Sequence, residues 1–323
     1  MRFKEIGWNG FLLKVPEDMY LTRHGGDSRE GTFFIESEDS LIEVSWISIS
    51  KKPTASLLEV VDKITDRIQK EAGKKKLNFT IRERRDAVVN NHKAVYLLLD
   101  YGVRERYYVW QCPDSDRIVA VRFLFRKYDE RADEVIKNLI GTIKCHGKKH
   151  VWSLMRMRFE APKSFLLNPT EIKSAELNIA LLEEKFSAFE ERRRAIYVKY
   201  FPMANVRFKD TYRNLERWFE KNYLKEFRKK ILKRRRKISF KIKGEKKMGS
   251  HVALIEEARL SSMLIKRRKE ICSVALWYCP EMNRIYLLAF DTQVHRPLPF
   301  KIRLKAKEHE ALFNEILESF RCH

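Results

Sequence analysis

Between Leu41 and Ile49 the chain reads LIEVSWISI, with apolar and polar residues alternating as in a strand that has one face on a core. The segment RRAIYVKYF, Arg193–Phe201, repeats the pattern. Each is followed by a proline, Pro53 or Pro202, and then by a change of period. In residues 54–72, Leu57, Val60 or Val61, Ile64 and Ile68 recur three or four apart, which predicts an amphipathic helix. In residues 208–231, Phe208, Tyr212, Leu215, Phe219, Tyr223, Phe227 and Ile231 do the same and predict a longer one.

The order of elements is written twice. VWQCPDSDRIVAVRF, Val109–Phe123, and LWYCPEMNRIYLLAF, Leu276–Phe290, share Trp, Cys, Pro, Arg, Ile and a final Phe. Each reads as a β-hairpin around a Pro-led turn. Upstream of each stands a His-x-Ala step, His92/Ala94 and His251/Ala253. Downstream of each is a closing helix, ending in Cys145-His146 and in Cys322-His323. Matching ends predict two domains, residues 1–146 and 147–323. Strands and helices do not alternate strictly, which argues against a doubly wound parallel sheet. The expected fold class is α+β: two tandem repeats, each an antiparallel β-sheet packed with flanking helices.

This arrangement resembles the PsbP-like fold, the family of the extrinsic PsbP subunit of photosystem II and of a Ran-binding import factor. The residues that carry the resemblance are GFLLKVP (Gly10–Pro16), the hairpin around Cys112, and ESFRC (Glu318–Cys322). The resemblance covers nearly the whole chain as two copies. It implies an antiparallel sheet with helices, used for binding rather than catalysis, and it carries over no catalytic residue.

Composition sharpens this picture in one respect. The chain is 44% hydrophobic, ample for a core, and has a formal net charge of +23. Residues 1–146 hold 26 Lys and Arg against 23 Asp and Glu, whereas residues 147–323 hold 41 against 21. A near-neutral half followed by a strongly basic one points to an acidic partner for the second half. The source is Leu224–Lys247, where thirteen of twenty-four residues are basic: Lys225, Arg228, Lys229, Lys230, Lys233, Arg234, Arg235, Arg236, Lys237, Lys241, Lys243, Lys246 and Lys247. The end of the long helix and a strand with Ile238, Phe240 and Ile242 on its apolar face would together present them to phosphates. The competing reading is a solvated charged surface. No sequence-specific nucleic-acid signature is present.

The five Cys leave three readings open. They are small buried hydrophobes; or they form one disulfide per repeat, Cys112–Cys145 and Cys279–Cys322, with Cys272 free; or Cys145, His146 and His150 start a zinc site that lacks a CxxC partner. A scarcity of Gln beside abundant charge leans towards a thermophile, in which intracellular disulfides occur. His92 and His251 read as structural. No Walker loop, dinucleotide fingerprint, HExxH or GxSxG is present, so no enzyme activity, metal or cofactor is expected. The sequence shows neither a signal peptide nor an apolar run of membrane-spanning length, and a cytoplasmic location is expected. The function these observations support is a non-enzymatic binding protein whose second repeat engages nucleic acid, a ribonucleoprotein or another polyanion. The alternative is a protein-interaction adaptor or chaperone with no nucleic-acid role.

Overall fold

The computed structural model describes residues 1–51, 56–168, 171–173, 176–227, 229, 239–262, 268–297 and 300–323. It is rich in strands, has a few helices, and contains three antiparallel sheets. Among the described residues, no helix is long and apolar enough to cross a membrane. The chain divides into two compact units, Met1–Met155 and Arg156–His323. The division falls later than the expected 146/147 because a strand at Lys149–Leu154 pairs with the first strand of the first unit, Gly7 facing Ser153.

In the first unit the strands are β1 Phe3–Trp8, β2 Phe11–Pro16, β3 Tyr20–Gly26, β4 Glu30–Glu36, β5 Ser40–Ser48, β6 Thr80–Val89, β7 His92–Asp100, β8 Arg104–Cys112, β9 Arg117–Phe125 and β10 Lys149–Leu154. The helices are α1 Leu57–Lys74 and α2 Glu130–Thr142. Seven strands form one sheet in the order β3-β4-β5-β9-β8-β7-β6. The alternation along β5 works as expected: Ile42, Val44 and Trp46 are buried on one face, where Phe11 of β2 packs on Phe33 and Trp46 at ring distances of 5.8 and 5.5 Å. The opposite face receives α1, whose Val61 and Ile68 join Val95, Leu97, Val109 and Ile118. Ser56 caps α1 by accepting from the Glu59 amide.

In the second unit the strands are β11 Met157–Pro162, β12 Leu166–Leu167, β13 Glu171–Lys173, β14 Glu176–Phe186, β15 Glu191–Pro202, β16 Lys241–Met248, β17 His251–Ser262, β18 Arg268–Cys279 and β19 Arg284–His295. Seven of them run in the order β12-β14-β15-β19-β18-β17-β16, with β13 beside β14. The core path β15-β19-β18-β17-β16 follows the same connections as β5-β9-β8-β7-β6. The closing helix, Ala306–Glu318, packs on the face that holds Trp277, Tyr286 and Phe290. Phe320, just beyond it, lies 4.8 Å from Trp277.

The long helix expected over residues 208–231 is broken. A short α3, Ala204–Arg207, precedes it; residues 208–214 form turns, followed by α4 Leu215–Trp218, a π-helical turn Phe219–Tyr223 and α5 Leu224–Glu226, while Ile231 lies outside the described residues; the closing helix is therefore α6. Asn214 starts α4 by capping the Arg217 amide. The wider π turn shifts the helix register, so that Trp218, Phe219, Tyr223 and Phe227 are all buried against β17, β18 and β19. Trp218 anchors this layer, with Phe201 and Phe208 edge-on at 4.8 and 5.4 Å. Replacing Trp218 with Ala should cost about 3–5 kcal/mol, read as an earlier urea midpoint for the second unit.

Glu256 of β17 lies beneath these helices, 3% exposed. Burial, and then the carboxylates of Glu216 and Glu220, push its pKa up to about 7. A carboxyl that stays protonated only when folded makes stability fall as pH rises from the unfolded value, about 4.5, to about 7. Glu256→Gln should remove that slope and stabilise the second unit at neutral pH, measured by urea unfolding across the pH range.

The expected basic strand is β16, but its apolar face is short. Phe240 packs on Phe219 and Phe227 at 5.7 and 6.1 Å. Ile242 is 49% exposed, because a bulge between Ile242 and Gly244 ends the alternation; Gly244 has φ +140°. Ile238 lies outside the described residues, as does Pro53.

Candidate functional site

In each unit the sheet end nearest the closing helix gathers two cysteines and two histidines. In the first unit, β8 ends at Cys112, where Pro113–Ser115 form a 3-10 turn and Asp116 adopts φ +54°. The neighbouring strand β7 begins at His92, just after the Asn90-Asn91 turn, both residues at positive φ. After α2 the chain forms a short bridge, with Lys144 exchanging backbone hydrogen bonds with Leu12 of β2 at 2.8 and 2.9 Å. That bridge aims the next two residues, Cys145 and His146, at Cys112.

The resulting distances are short. Cys112 Sγ lies 3.2 Å from His146 Nδ1, and Cys145 Sγ lies 3.7 Å from both His146 Nδ1 and His92 Nε2. One donor atom from each residue lies within 4.8 Å of all the others. The far nitrogens are also engaged: His92 Nδ1 faces the Val89 and Asn90 carbonyls, both at 3.1 Å, and His146 Nε2 is 3.5 Å from Asp114. The Cys145 thiol hydrogen-bonds Cys112 and, as the largest influence, lowers the Cys112 pKa. The same bond, followed by burial, raises that of Cys145.

The second unit builds the same cluster from corresponding elements. Cys279 ends β18, His251 begins β17 after the Gly249-Ser250 turn, and Cys322-His323 follow α6. Arg321 makes the bridging pair, exchanging backbone bonds with Arg158 of β11 at 2.7 and 2.8 Å. His323 Nδ1 lies 3.6 Å from Cys279 Sγ and 3.5 Å from Cys322 Sγ, and the four donors again lie within 4.8 Å of one another. Burial raises the Cys279 pKa to about 12, and that of Cys322 also rises. A cavity of about 330 Å³ adjoins this cluster at the Gly249-Ser250 turn. In the first unit the Asn90 side chain is tied instead to the Ile143 carbonyl at 2.7 Å.

The structure therefore brings together both cysteine pairs expected from sequence, but none of the five cysteines forms a disulfide. His150, expected beside Cys145, is not in the cluster; His92 is, and both His92 and His251, expected to be structural, stand in these groups of four. Cys272 is buried away from them, in the core beneath α4.

The basic run is described only in part. Arg228, Lys230, Lys233, Arg234, Arg235, Arg236 and Lys237 lie outside the described residues. Lys225, Lys229, Lys241, Lys243 and Lys247 are exposed. Two basic residues of β16 have acidic partners: Lys243 with Glu257 at 3.5 Å, and Lys246 with Glu318 at 2.8 Å and the Asn314 side chain at 2.9 Å.

No family model and no curated protein matches the chain. Among solved structures, the solution structure of cyanobacterial PsbP (CyanoP) from Synechocystis sp. PCC 6803 shows a weak fold-level likeness. Its TM-score is 0.34 at 9% identity, over 45% of this chain and 92% of that one.

Proposed function

We propose that the chain is a non-enzymatic binding protein built from two copies of one PsbP-like domain, the second of which engages nucleic acid, a ribonucleoprotein or another polyanion. The duplication is supported by the two hairpins, which occupy the same place in sheets of the same strand order, Cys112 facing Arg117 and Cys279 facing Arg284. The binding reading rests on one observation, the charge partition. With the division at Met155/Arg156, Lys148 and Lys149 fall in the first unit, which carries 28 basic against 23 acidic residues, and the second carries 39 against 21. So much like charge on one unit raises its self-repulsion unless a partner neutralises it.

The ion pairs of Lys243 and Lys246 favour the second reading, an adaptor whose charge serves solubility and keeps the exposed edge strand β16 from pairing with other chains. Fluorescence anisotropy of labelled single- and double-stranded oligonucleotides separates the two. The polyanion reading expects low-salt binding by the full chain that heparin competes away. An absence of low-salt binding assigns the charge to solubility.

A further inference from the structure

We propose that each unit holds one zinc-class ion in a tetrahedral Cys2His2 centre, formed by His92, Cys112, Cys145 and His146 in the first unit and by His251, Cys279, Cys322 and His323 in the second. The donor geometry is the first argument. Zinc bonds of about 2.3 Å to sulfur and about 2.0–2.1 Å to nitrogen, at tetrahedral angles, separate a sulfur from a nitrogen by about 3.6 Å. Five of the eight sulfur–nitrogen pairs in the two clusters are separated by 3.2 to 3.7 Å, and all donors of a cluster lie within 4.8 Å of one another. A disulfide would bring only the sulfurs together, about 2.05 Å apart, and would leave two imidazoles facing it without a role. A two-iron cluster with the same donor types puts its cysteines and histidines on different irons, whereas here His146 Nδ1 and His323 Nδ1 each face both sulfurs of their cluster.

The surroundings orient the donors as metal sites do. A carbonyl or carboxylate on the far nitrogen of a ligating histidine fixes its tautomer and aims its lone pair. The Val89 and Asn90 carbonyls do this for His92, leaving Nε2 for the centre, and Asp114 does it for His146. Glu281, two residues after Cys279 as Asp114 is two after Cys112, accepts from the Cys279 thiol at 3.4 Å, a bond that metal binding by the thiolate would replace.

Unpaired buried nitrogen is a further observation. His251 is 8% exposed, and its Nε2 has no hydrogen-bond partner. Burying a polar atom without a partner is unfavourable, and a cation at the centre of the four donors supplies the missing partner. Two thiolates also neutralise a divalent ion, which makes a buried centre affordable in a way that an unpaired charge is not. Four protein donors leave no open coordination position, so each centre is structural and pins the tail after α2 or α6 to the adjacent strand ends.

The test uses the full-length chain, without a histidine tag, purified in the absence of chelators. Elemental analysis should find about two zinc ions per chain, one for each cluster. Cobalt(II) exchanged into the protein should give the visible d–d bands and thiolate charge transfer of a tetrahedral sulfur–nitrogen site. Cys112→Ser and Cys279→Ser should each remove about half of the metal and half of the cobalt signal, while Cys272→Ser removes none. Where a variant fails to fold, thiol titration of the denatured wild type decides instead. Five free thiols, with or without reductant, support the centres. A deficit of two or four that reductant restores identifies disulfides and overturns the proposal. Metal-free protein that takes up no cobalt also overturns it.

Discussion

Stripping the proposed metal with a chelator at neutral pH should lower the melting temperature of both units by about 8 °C or more. The size follows from what the centres hold. In the first unit one ion would tie the tail beyond α2 to the start of β7 and the end of β8, two strands already paired, whereas the tail is otherwise held by its bridge to Leu12 of β2 and by the Asn90–Ile143 hydrogen bond. Structural zinc contributes about 10–16 kcal/mol of binding free energy in small peptides. These units have large cores of their own, so only part of that appears as stability. A loss of even about 4 kcal/mol, at about 2–4 °C per kcal/mol for domains of this size, gives a shift of about 8–16 °C. Differential scanning calorimetry with and without chelator measures it, and zinc added back should restore the original transition. Cys272→Ala supplies the control: it opens a small cavity beneath α4 but leaves the metal-dependent part of the melting temperature unchanged. A chelator-insensitive melting curve would remove any stabilising role for the clusters.

The second large effect is on polyanion affinity. Each duplex phosphate contacted contributes about −0.9 to the slope of log affinity against log salt. Replacing Arg234, Arg235 and Arg236 together with Ala removes up to three contacts and should flatten that slope by up to about 2.7. On the polyanion reading the substitution should leave the melting temperature of the second unit nearly unchanged, because a charge that reaches phosphate from solvent would contribute little to folding. An unaltered slope would place the contacts elsewhere, with the exposed Lys241, Lys243 and Lys247 as the next residues to replace. Equal losses for a scrambled sequence and for the original would agree with contacts to backbone rather than to bases.

Much of the architecture was legible in the sequence because short-range periodicity reports burial. The alternation in Leu41–Ile49 lies almost wholly within β5, the Leu57–Ile68 period is α1, and both Cys-Pro hairpins fall in register. The segment after Pro202 failed for a physical reason. Its aromatics do recur at helical spacing, but satisfying Trp218, Phe219, Tyr223 and Phe227 on one sheet face requires a π turn and a break near Asn214, which a uniform period cannot encode. The alternation of Ile238, Phe240 and Ile242 misled in a similar way, because the bulge before Gly244 turns Ile242 to solvent.

The clusters stayed hidden because their donors are distant in sequence. His92 precedes Cys112 by 20 residues and Cys145 follows it by 33, with no CxxC spacing to mark a knuckle. Only the β7–β8 pairing and the Lys144 bridge bring them together. A signal was nonetheless present. His92 and His251, Cys112 and Cys279, Cys145-His146 and Cys322-His323 each recur between the repeats, so the four residues of one cluster all have a counterpart in the other. Read singly they are core cysteines and strand histidines; read as a set they are one donor group written twice.

X-ray absorption at the zinc edge of the untreated full-length protein tests the twin centres most directly. The account predicts a first shell of two sulfurs at about 2.3 Å and two nitrogens at about 2.0 Å for every zinc in the sample. A shell of oxygen and nitrogen alone, or protein that carries no zinc to measure, would contradict it.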